Sequence, residues 1–487
     1  GVGEATIPNI NHILAVIGLD ELDFMKAVDG TFKQSIRYNN WLHNKGEYYH
    51  HPFSRTRITP IDHSGRRWLQ SDRSVPFMDT VSAQPLLCEL NLSPKTIGPW
   101  DFGPPFTYAF HMNAQKFADY LRDHSTARGV THTLDHVTDV EMKENGNIGA
   151  IHTKSGSKLE ADLFIDSTGF AAVLIEKALG VPFVDCSQWL LCDQAITMHV
   201  PYEQHYLGYV RPYTSASALN SGWVWDIPMQ DKRSLGYVHA SDFVNAENAE
   251  RELKAFEGVH ARNIDARLVK FKVGHRAQPW KKNCVSIGLA GSFIEPLEST
   301  GLYLSHLAAV MLAEHYPYMG DTETMAFRFN RIMTNRFYEV LDFINMHYCL
   351  TRREDTEFWR EIRRPERLHD RLKAKLEYWR VKPPSASDFQ DQYLPMQTAD
   401  MAFMPSSGDE RPPVDTAGLW NHESYEAILY GMDFLRDEYR AWFGPNLPRT
   451  RMHSYVVDRI KQAPSKLPTH AEWLQRVLGM PKYRTTV

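Results

Sequence analysis

The sequence has little of several features that mark specialised classes of protein. It contains five cysteines in 487 residues, an odd number without paired metal-ligand spacing, so neither a disulfide framework nor a zinc site is predicted. The chain is slightly acidic and lacks a long run of Lys or Arg, which argues against nucleic acid or an anionic membrane as the main partner. It also lacks an apolar stretch long enough to cross a bilayer and a basic, then apolar, leader. Small-molecule chemistry in a reducing cytoplasm is therefore expected.

A loop that runs directly into a helix is the most informative segment present. Residues 286–300 lead to Gly301, where an apolar helical pattern begins. The first N–H groups of a helix and the positive end of its dipole favour an anion, and Ser299 or Thr300 can cap them. Glu298 stands beside this junction. Taken alone, such a junction is more often a structural cap than a binding site.

Local patterns elsewhere predict a mixed α/β protein. Alternating residues at 137–142 and 148–152, separated by Asn145-Gly146, predict a β-hairpin. Apolar residues at three- and four-residue spacing predict helices over 302–312, 329–348 and 365–380. Between Pro383 and Pro413 the composition shifts to Pro, Ser, Asp and Gln, which predicts a loop.

Two strand ends are expected to approach a ligand. Residues 163–165 predict a short buried strand that ends at Asp166 and Gly169, and residues 284–287 predict another that leads to Gly288 and Gly291. Ligands of open α/β sheets collect at the carboxyl ends of strands, where glycine permits close backbone approach. A dinucleotide cofactor requires two such sites, although each alone is usually a plain turn.

Several segments together resemble the flavin-dependent halogenases of the tryptophan-halogenase type. They are Gly-Val-Gly-Glu-Ala-Thr-Ile-Pro at 1–8, Thr-Phe-Lys at 31–33 with a closing Trp41, Trp-x-Trp-x-Ile-Pro at 223–228, Pro-Leu-Glu-Ser-Thr-Gly at 296–301, and the stretch from 342 to 359. The Trp-x-Trp-x-Ile-Pro element is the most specific, whereas Gly-rich turns alone are weak evidence. The resemblance spans about three quarters of the chain in order.

The resemblance implies an α/β fold of the FAD-binding, flavoprotein-monooxygenase-like kind with a mostly helical C-terminal region. Residues 1–310 are expected to form the FAD and halide module, and residues 311–487 a helical region that covers the substrate. The family's first strand and Gly-x-Gly-x-x-Gly turn are missing from these 487 residues. The visible chain is thus expected to start just after that unit and to bind FAD poorly until an N-terminal extension restores it.

The resemblance also implies a catalytic pair and a halide site. Lys33 matches the family's catalytic lysine, which presents hypohalous acid to an aromatic ring, and Glu298 matches a carboxylate that orients the oxidant and accepts the ring proton. The halide is expected on the backbone N–H groups of Thr300 and Gly301. Without the resemblance, a surface lysine and a carboxylate favoured by a helix dipole would be the ordinary interpretations.

Residues that border FAD are carried over in the same way. The cofactor positions are Gly3, Glu4, Ala5, Thr6, Asp166, Gly169, Gly288 and Gly291. Trp223 and Trp225, two apart on a strand pattern, share one face and are expected to form a wall beside the flavin. A plain core face is the alternative.

The substrate is the least determined part of the prediction. His50, Pro52 and Phe53 match a position where the family sandwiches an aromatic ring, although a structural histidine is nearly as plausible. Residues 420–425 align with a stretch that carries two adjacent tyrosines in enzymes acting on free tryptophan. Here the first is Ser424 and only Tyr425 remains, which argues against free tryptophan and leaves another indole, a phenol or an elaborated indole product open beside it.

The sequence therefore predicts a halogenase that uses reduced FAD, O₂ and chloride or bromide on an electron-rich aromatic, with a separate flavin reductase as partner. A homodimer is compatible with this. A flavin-dependent aromatic hydroxylase or reductase is the alternative enzyme, but it would not need Lys33, Glu298 and the paired Trp strand together. A catalytically inactive flavin-binding protein is the alternative from another class.

Overall fold

The computed structural model describes residues 3–55, 63–202, 210–318, 320, 322–389, 419–435 and 446–480. Gly1 and Val2, and residues 390–413 of the predicted loop, lie outside the described residues. Within the described ranges the chain is a mixed α/β protein.

The strands in the described ranges are short and mostly paired antiparallel. In chain order they are β1 Gly3–Ala5, β2 Thr31–Lys33, β3 Ser35–Asn39, β4 Tyr48–Pro52, β5 Ala109–Asn113, β6 Val137–Met142, β7 Ile148–Thr153, β8 Lys158–Glu160, β9 Phe164–Asp166, β10 Phe183–Asp185, β11 Gln194–Pro201, β12 Thr214–Ala218, β13 Gly222–Pro228, β14 Lys232–His239, β15 Arg267–Lys270, β16 Gly274–Arg276, β17 Trp280–Lys281, β18 Cys284–Ser286 and β19 Ser292–Phe293.

The α-helices occur in both halves of the chain. They are α1 Asn9–Val16, α2 Glu21–Ala27, α3 Ser64–Leu69, α4 Phe77–Val81, α5 Gln84–Glu89, α6 Ala114–Thr126, α7 Ala246–Glu257, α8 Gly301–Glu314, α9 Thr322–Cys349, α10 Glu357–Ile362, α11 Asp370–Val381, α12 His422–Gly431, α13 Ser454–Lys466 and α14 His470–Trp473.

A seven-stranded sheet forms the centre of the fold, in the order β15-β11-β14-β13-β12-β3-β4. Its neighbours are antiparallel except β12 and β3, which run parallel. Every residue of β13 is buried, because this inner strand is covered on both faces. Strand β4 at one end of the sheet is packed by α12 and α4.

The predicted strand ends do meet. Strands β9 and β18 pair in parallel, with Phe164 opposite Cys284, so the loops that follow them leave the same edge. The predicted hairpin is also confirmed, as β6 and β7 pair antiparallel and β8 extends that sheet.

A small sheet, β1-β5-β2, joins the N-terminal segment to the lysine strand. Strand β5 pairs with β1 on one side and with β2 on the other. Residues 3–6 and Lys33 are thereby held close together although about thirty positions separate them.

The predicted helices are present with longer or shifted bounds. The pattern at 302–312 belongs to α8, and that at 329–348 belongs to the 28-residue α9. In the segment predicted as a helix over 365–380, Pro365–Arg367 forms a separate 3₁₀ turn, and the α-helix begins only at Asp370. A proline at the first turn is compatible with a short turn that ends before the next helix.

The largest hydrophobic core does not stop at residue 310. It combines strand residues such as Trp41 and Trp223 with Phe343 of α9, Trp379 of α11 and Leu429 of α12. All five cysteines lie in the described ranges and are free, four of them buried. Among the described helices, none is both long and apolar enough to span a membrane.

Candidate active site

Lys33 lies at the end of β2 and is completely buried. Its Nζ donates to the backbone oxygen of Thr6 at 3.0 Å and to Ser299 Oγ at 2.8 Å. Burial lowers the pKa of Lys33 to about 7, and the nearby charge of Glu298 opposes this shift. The side chain therefore exists as both ammonium and free amine near neutral pH, and can donate a hydrogen bond or act as a nucleophile.

Glu298 is also buried and holds a network of short hydrogen bonds. Its Oε1 accepts from Tyr38 Oη at 2.5 Å and pairs with His347 Nε2 at 2.9 Å, and its Oε2 lies 3.1 Å from His51 Nδ1. Burial favours the neutral acid, but His51 and His347 outweigh it and hold the pKa of Glu298 well below its usual range. Glu298 is thus a fixed negative charge beside Lys33.

Strand β4 presents alternate side chains to this site. Tyr49 stacks on Tyr38, His51 pairs with Glu298, and the ring of Phe53 lies 5.2 Å from Lys33 Nζ. His50 points the other way, with Nδ1 3.0 Å from Ser35 Oγ and Nε2 2.9 Å from Glu89.

This alternation corrects part of the predicted substrate site. Of His50, Pro52 and Phe53, only Phe53 faces Lys33, because side chains an even number of residues apart share one face of a strand. His51, which the sequence prediction passed over, is the histidine of β4 on the Lys33 side and pairs with Glu298. His50 instead joins a polar cluster with Glu89, and Arg37 lies 3.0 Å from the same carboxylate.

Tyr425 requires a second correction. It lies in α12, is 1% exposed, and packs against Phe343 and Trp379. Its hydroxyl is 3.3 Å from Lys375 Nζ. Tyr425 therefore belongs to the helical core behind Phe343 rather than to a surface that a substrate can touch.

A mostly apolar cavity of about 370 Å³ lies on the other side of Ser299 from Lys33. Its wall includes Glu4, Trp225, Gly288, Gly291 and Gly301. Gly288 has a φ of +71°, which favours glycine, and open space surrounds the position of an added Cβ at Gly301. Burial raises the pKa of Glu4 to about 7. A volume of this size with glycine backbone on one side and an indole on the other fits a flat heteroaromatic ring such as the flavin's.

The loop before α8 leaves helix N–H groups uncapped. Thr300 is the N-cap residue, but its side chain makes no capping hydrogen bond, and Ser299 Oγ is used by Lys33. Thr300 Oγ1 is buried without a hydrogen-bond partner in the described ranges. Ser299 adopts a left-handed φ of 59°, uncommon for serine. An anion at this helix start would find both N–H groups and a free hydroxyl.

The remaining predicted cofactor residues lie around the cavity without lining it. Asp166 accepts hydrogen bonds from Thr168 and from the backbone of Leu174 and Ile175, so its carboxylate is occupied in fixing the turn that follows β9. Gly3 lets β1 pack on β14, since an added Cβ would lie 2.6 Å from Ser234 Cβ.

Ala5, Thr6 and Gly169 likewise do not line the cavity. Thr6 is instead on the lysine side, where its carbonyl accepts from Lys33. The segment from Glu4 to Thr6 thus separates the cavity from the lysine.

The two predicted wall tryptophans share one face of β13 but differ in role. Trp225 lines the cavity, and its ring lies flat over Gly236 of β14, where an added Cβ would be 2.0 Å from it. Trp223 does not line the cavity. Its Nε1 donates to Glu295 Oε1 at 3.0 Å. Tyr348 donates to the same oxygen at 2.6 Å, and burial raises the pKa of Glu295 to about 7.

Sequence reasoning missed the residues that surround Glu298. Tyr49 and His51 could have been found from strand alternation once Phe53 was placed next to Lys33, whereas Tyr38 lies on β3 and is found only through its pairing with Tyr49. His347 lies in the matched stretch at 342–359, but no local pattern in α9 singles it out. Within the described residues, no group of three or more His, Cys, Asp or Glu side chains is arranged to hold a metal.

Comparison with known proteins adds independent information. The family model described as tryptophan halogenase matches residues 1–443. The chain is 32% identical to the 7-chloro-L-tryptophan 6-halogenase of Kutzneria sp. (strain 744), covering 99% of this chain and 92% of that protein. It is also 32% identical to the tryptophan 7-halogenase of Lentzea aerocolonigenes, over 98% of this chain and 91% of the relative.

Solved structures give the same result. The fold superposes on a tryptophan halogenase from Shewanella frigidimarina NCIMB 400 with a TM-score of 0.84 and 31% identity, covering 99% of this chain and 89% of the other.

Proposed function

Because this chain belongs to the tryptophan halogenase family and is a flavin-dependent halogenase, we propose that it attaches chlorine or bromine to an electron-rich aromatic ring, an indole in particular. The fold is then of the FAD-binding, flavoprotein-monooxygenase-like kind, and the cavity beside Trp225 holds the flavin ring. Glu4, Gly288 and Gly291, which line this cavity, would hold it.

Bound as reduced FAD, the cofactor supplies the two electrons with which O₂ and a halide ion yield hypohalous acid and water. The uncapped start of α8 provides the halide site. The N–H groups of Thr300 and Gly301 and the orphan hydroxyl of Thr300 are the donors that would hold the anion.

The position of Lys33 is the observation that carries the proposal. Its Nζ is joined to Ser299, which lines the cavity, and lies against Phe53, which belongs to the opposite side. An oxidant that leaves the cavity past Ser299 meets the lysine before it meets a substrate. The Lys33 ammonium hydrogen-bonds the oxygen of the hypohalous acid there and directs its halogen towards an aromatic ring at Phe53. As the carbon–halogen bond forms, the oxygen–halogen bond breaks and the oxygen leaves as water with a proton from Lys33.

Glu298 acts as an electrostatic partner and proton acceptor in this scheme. Its low pKa makes it a weak base. A weak base suffices, because a halogenated ring that carries a positive charge is strongly acidic. His51 and His347, both in contact with the carboxylate, offer the proton a route away.

The substrate class follows from the relatives and from the site. The named relatives are halogenases of tryptophan and of 7-chloro-L-tryptophan. An indole ring can pack against the ring of Phe53, and free tryptophan or a related indole is proposed as substrate. Reduced FAD is expected from a separate flavin reductase.

The test is a halogenation assay with purified protein, FAD, an independent NADH-dependent flavin reductase, O₂ and indole. Wild type is expected to give brominated indole with bromide and chlorinated indole with chloride, identified by mass spectrometry. Lys33→Met should give neither product, while flavin binding and its reoxidation by O₂ persist. Because Met keeps an unbranched side chain of similar length, the variant removes the amine with little change in shape.

Two results would contradict the proposal. An oxygenated product formed without halide would favour the aromatic hydroxylase. Flavin binding without any product from indole, tryptophan or phenols, with either halide, would favour the inactive flavin-binding protein.

A further inference from the structure

Phe53 also lines a second space, a groove of about 730 Å³. Ser54, Phe106 and Arg459 contribute to its wall. The ring of Phe53 is the element shared between this groove and Lys33, which lies 5.2 Å from it. The volume is that of an ordinary small-molecule site. An aromatic ring held at Phe53 would therefore extend its substituents into the groove.

The wall of this groove contains a buried guanidinium, that of Arg459. It lies in α13 and is 9% exposed. Its Nη1 donates to Pro104 O at 2.8 Å and to Tyr455 Oη at 3.3 Å, and its Nη2 donates to Phe102 O at 3.0 Å. A guanidinium has five N–H donors. Nε is buried without a partner in the described ranges, and one Nη2 hydrogen also remains.

No carboxylate of the described residues forms an ion pair with this guanidinium. Its contacts are neutral carbonyls, a hydroxyl and the rings of Phe106 and Phe102, at 3.9 and 4.7 Å. Burial lowers the pKa of Arg459, as expected for a buried cation without a counter-charge. A buried charge is unfavourable unless it is paired.

Arg55, in the same wall, shows the contrast. It is 4% exposed at its side chain, and its Nη1 lies 2.7 Å from Glu426. Glu423 is the carboxylate of the wall and has contacts of its own. Of the two arginines, Arg459 is therefore the one whose charge no carboxylate of the described residues balances.

We propose that Arg459 binds a carboxylate on the aromatic substrate, so that this halogenase prefers indoles with an acidic side chain to neutral or cationic indoles of the same size. The inference rests on the proposed function and adds the chemical class of the substrate. Arg459 takes no part in halogen transfer. It sets which substrate is held with its ring at Phe53.

The test uses three indoles that differ at the end of a short chain on C3. They are indole-3-propionate, indole-3-propionamide and tryptamine, with unsubstituted indole as the reference. Rates of bromination are measured in the reductase-coupled assay, and kcat and KM are determined separately. Binding of each compound to the holoenzyme without halide is measured by calorimetry.

Wild type is expected to show a KM for the acid about 10- to 100-fold lower than for the amide, the range expected for a charge-assisted hydrogen bond. Arg459→Gln should bring the two KM values within about twofold while kcat for the amide stays the same. Arg459→Lys keeps the positive charge and should keep part of the preference for the acid over the amide. It provides a second variant if Arg459→Gln does not fold. Lys461→Gln removes an exposed charge from the same helix and should leave the preference intact.

Several results would overturn the inference. Equal KM values for acid and amide in wild type, or a preference for tryptamine, would show that the groove does not select an anion. A rise in the KM of acid and amide by the same factor in Arg459→Gln would show that Arg459 only supports the loop at 102–106. In these cases bromination of indole shows that the proposed function stands. Failure on all four compounds would overturn this inference, and failure on tryptophan and phenols as well would also remove the proposed function.

Discussion

Replacing Lys33 by methionine should stabilise the protein as well as inactivate it. The amino group of Lys33 is buried, and burial lowers its pKa from an ordinary 10.5 to about 7. Below pH 7 the lysine is protonated in both the folded and the unfolded chain, so folding there bears the full penalty of burying an ammonium. Between pH 7 and 10.5 the unfolded chain binds more protons, and the stability of wild type must rise with pH.

The size of the effect follows from these two pKa values. A shift from 10.5 to about 7 corresponds to a penalty of about 5 kcal/mol at roughly 1.4 kcal/mol per pH unit. Methionine avoids this penalty but loses the hydrogen bonds to Thr6 and Ser299, each worth about 1 kcal/mol. Lys33→Met is therefore expected to be about 3 kcal/mol more stable than wild type at pH 7. The difference should disappear near pH 9, since it falls by about 1.4 kcal/mol for each pH unit.

The measurement is urea unfolding of both proteins at pH 7, 8 and 9 and constant ionic strength, followed by tryptophan fluorescence. Lys461→Met, a change at an exposed lysine, is the matched control and should show no pH-dependent difference from wild type. A difference between wild type and Lys33→Met that is constant with pH, or a less stable variant at pH 7, would refute the reasoning. Either result would mean that Lys33 keeps an ordinary pKa in the folded protein.

Three further predictions concern the role of Glu298, the packing of Trp225 on Gly236, and the need for a separate flavin reductase. Glu298→Gln should slow product formation about 100-fold or more while a diketone trap still detects hypohalous acid; loss of flavin binding instead would make Glu298 structural. Gly236→Ala should destabilise the protein by about 1–3 kcal/mol, because its methyl group meets the ring of Trp225, and Trp225→Leu should recover part of that loss in the double variant, as judged by urea unfolding. The purified protein with FAD but no reductase should not consume NADH; rapid loss of absorbance at 340 nm would favour a hydroxylase or reductase.

Much of the fold could be predicted because local rules were sufficient for it. Residues 137–142 and 148–152 alternate around Asn145-Gly146 and pair antiparallel as predicted, although the pairing has two register shifts that alternation does not predict. Residues 163–165 and 284–287 are apolar runs that end in glycine-containing loops, and the structure pairs them. The approach of Lys33 to Glu298 came from the resemblance to a family, since 265 positions lie between them and no local rule connects them.

The sequence was least informative where one residue of register or one layer of packing decides which way a side chain points. His50 was predicted to contact the substrate, but the phase of β4 turns it towards Glu89 and turns the adjacent His51 towards Glu298. Tyr425 was assigned by alignment to a substrate contact, but the apolar face of α12 buries it against Phe343 and Trp379. The side-chain cap expected from Ser299 or Thr300 is absent: Ser299 Oγ accepts from Lys33, and Thr300 Oγ1 makes no hydrogen bond within the described ranges.

The burial of the thiols has a consequence for how long this catalyst survives its own product. Hypohalous acid attacks thiolates rapidly, and an enzyme that makes it is exposed to every molecule that escapes Lys33. Burial raises the pKa of all five cysteines, so that almost no thiolate is present at neutral pH. The first oxidative damage is therefore expected at exposed thioethers such as Met142, a lesion that reductases can reverse, and not at the cysteines of the core.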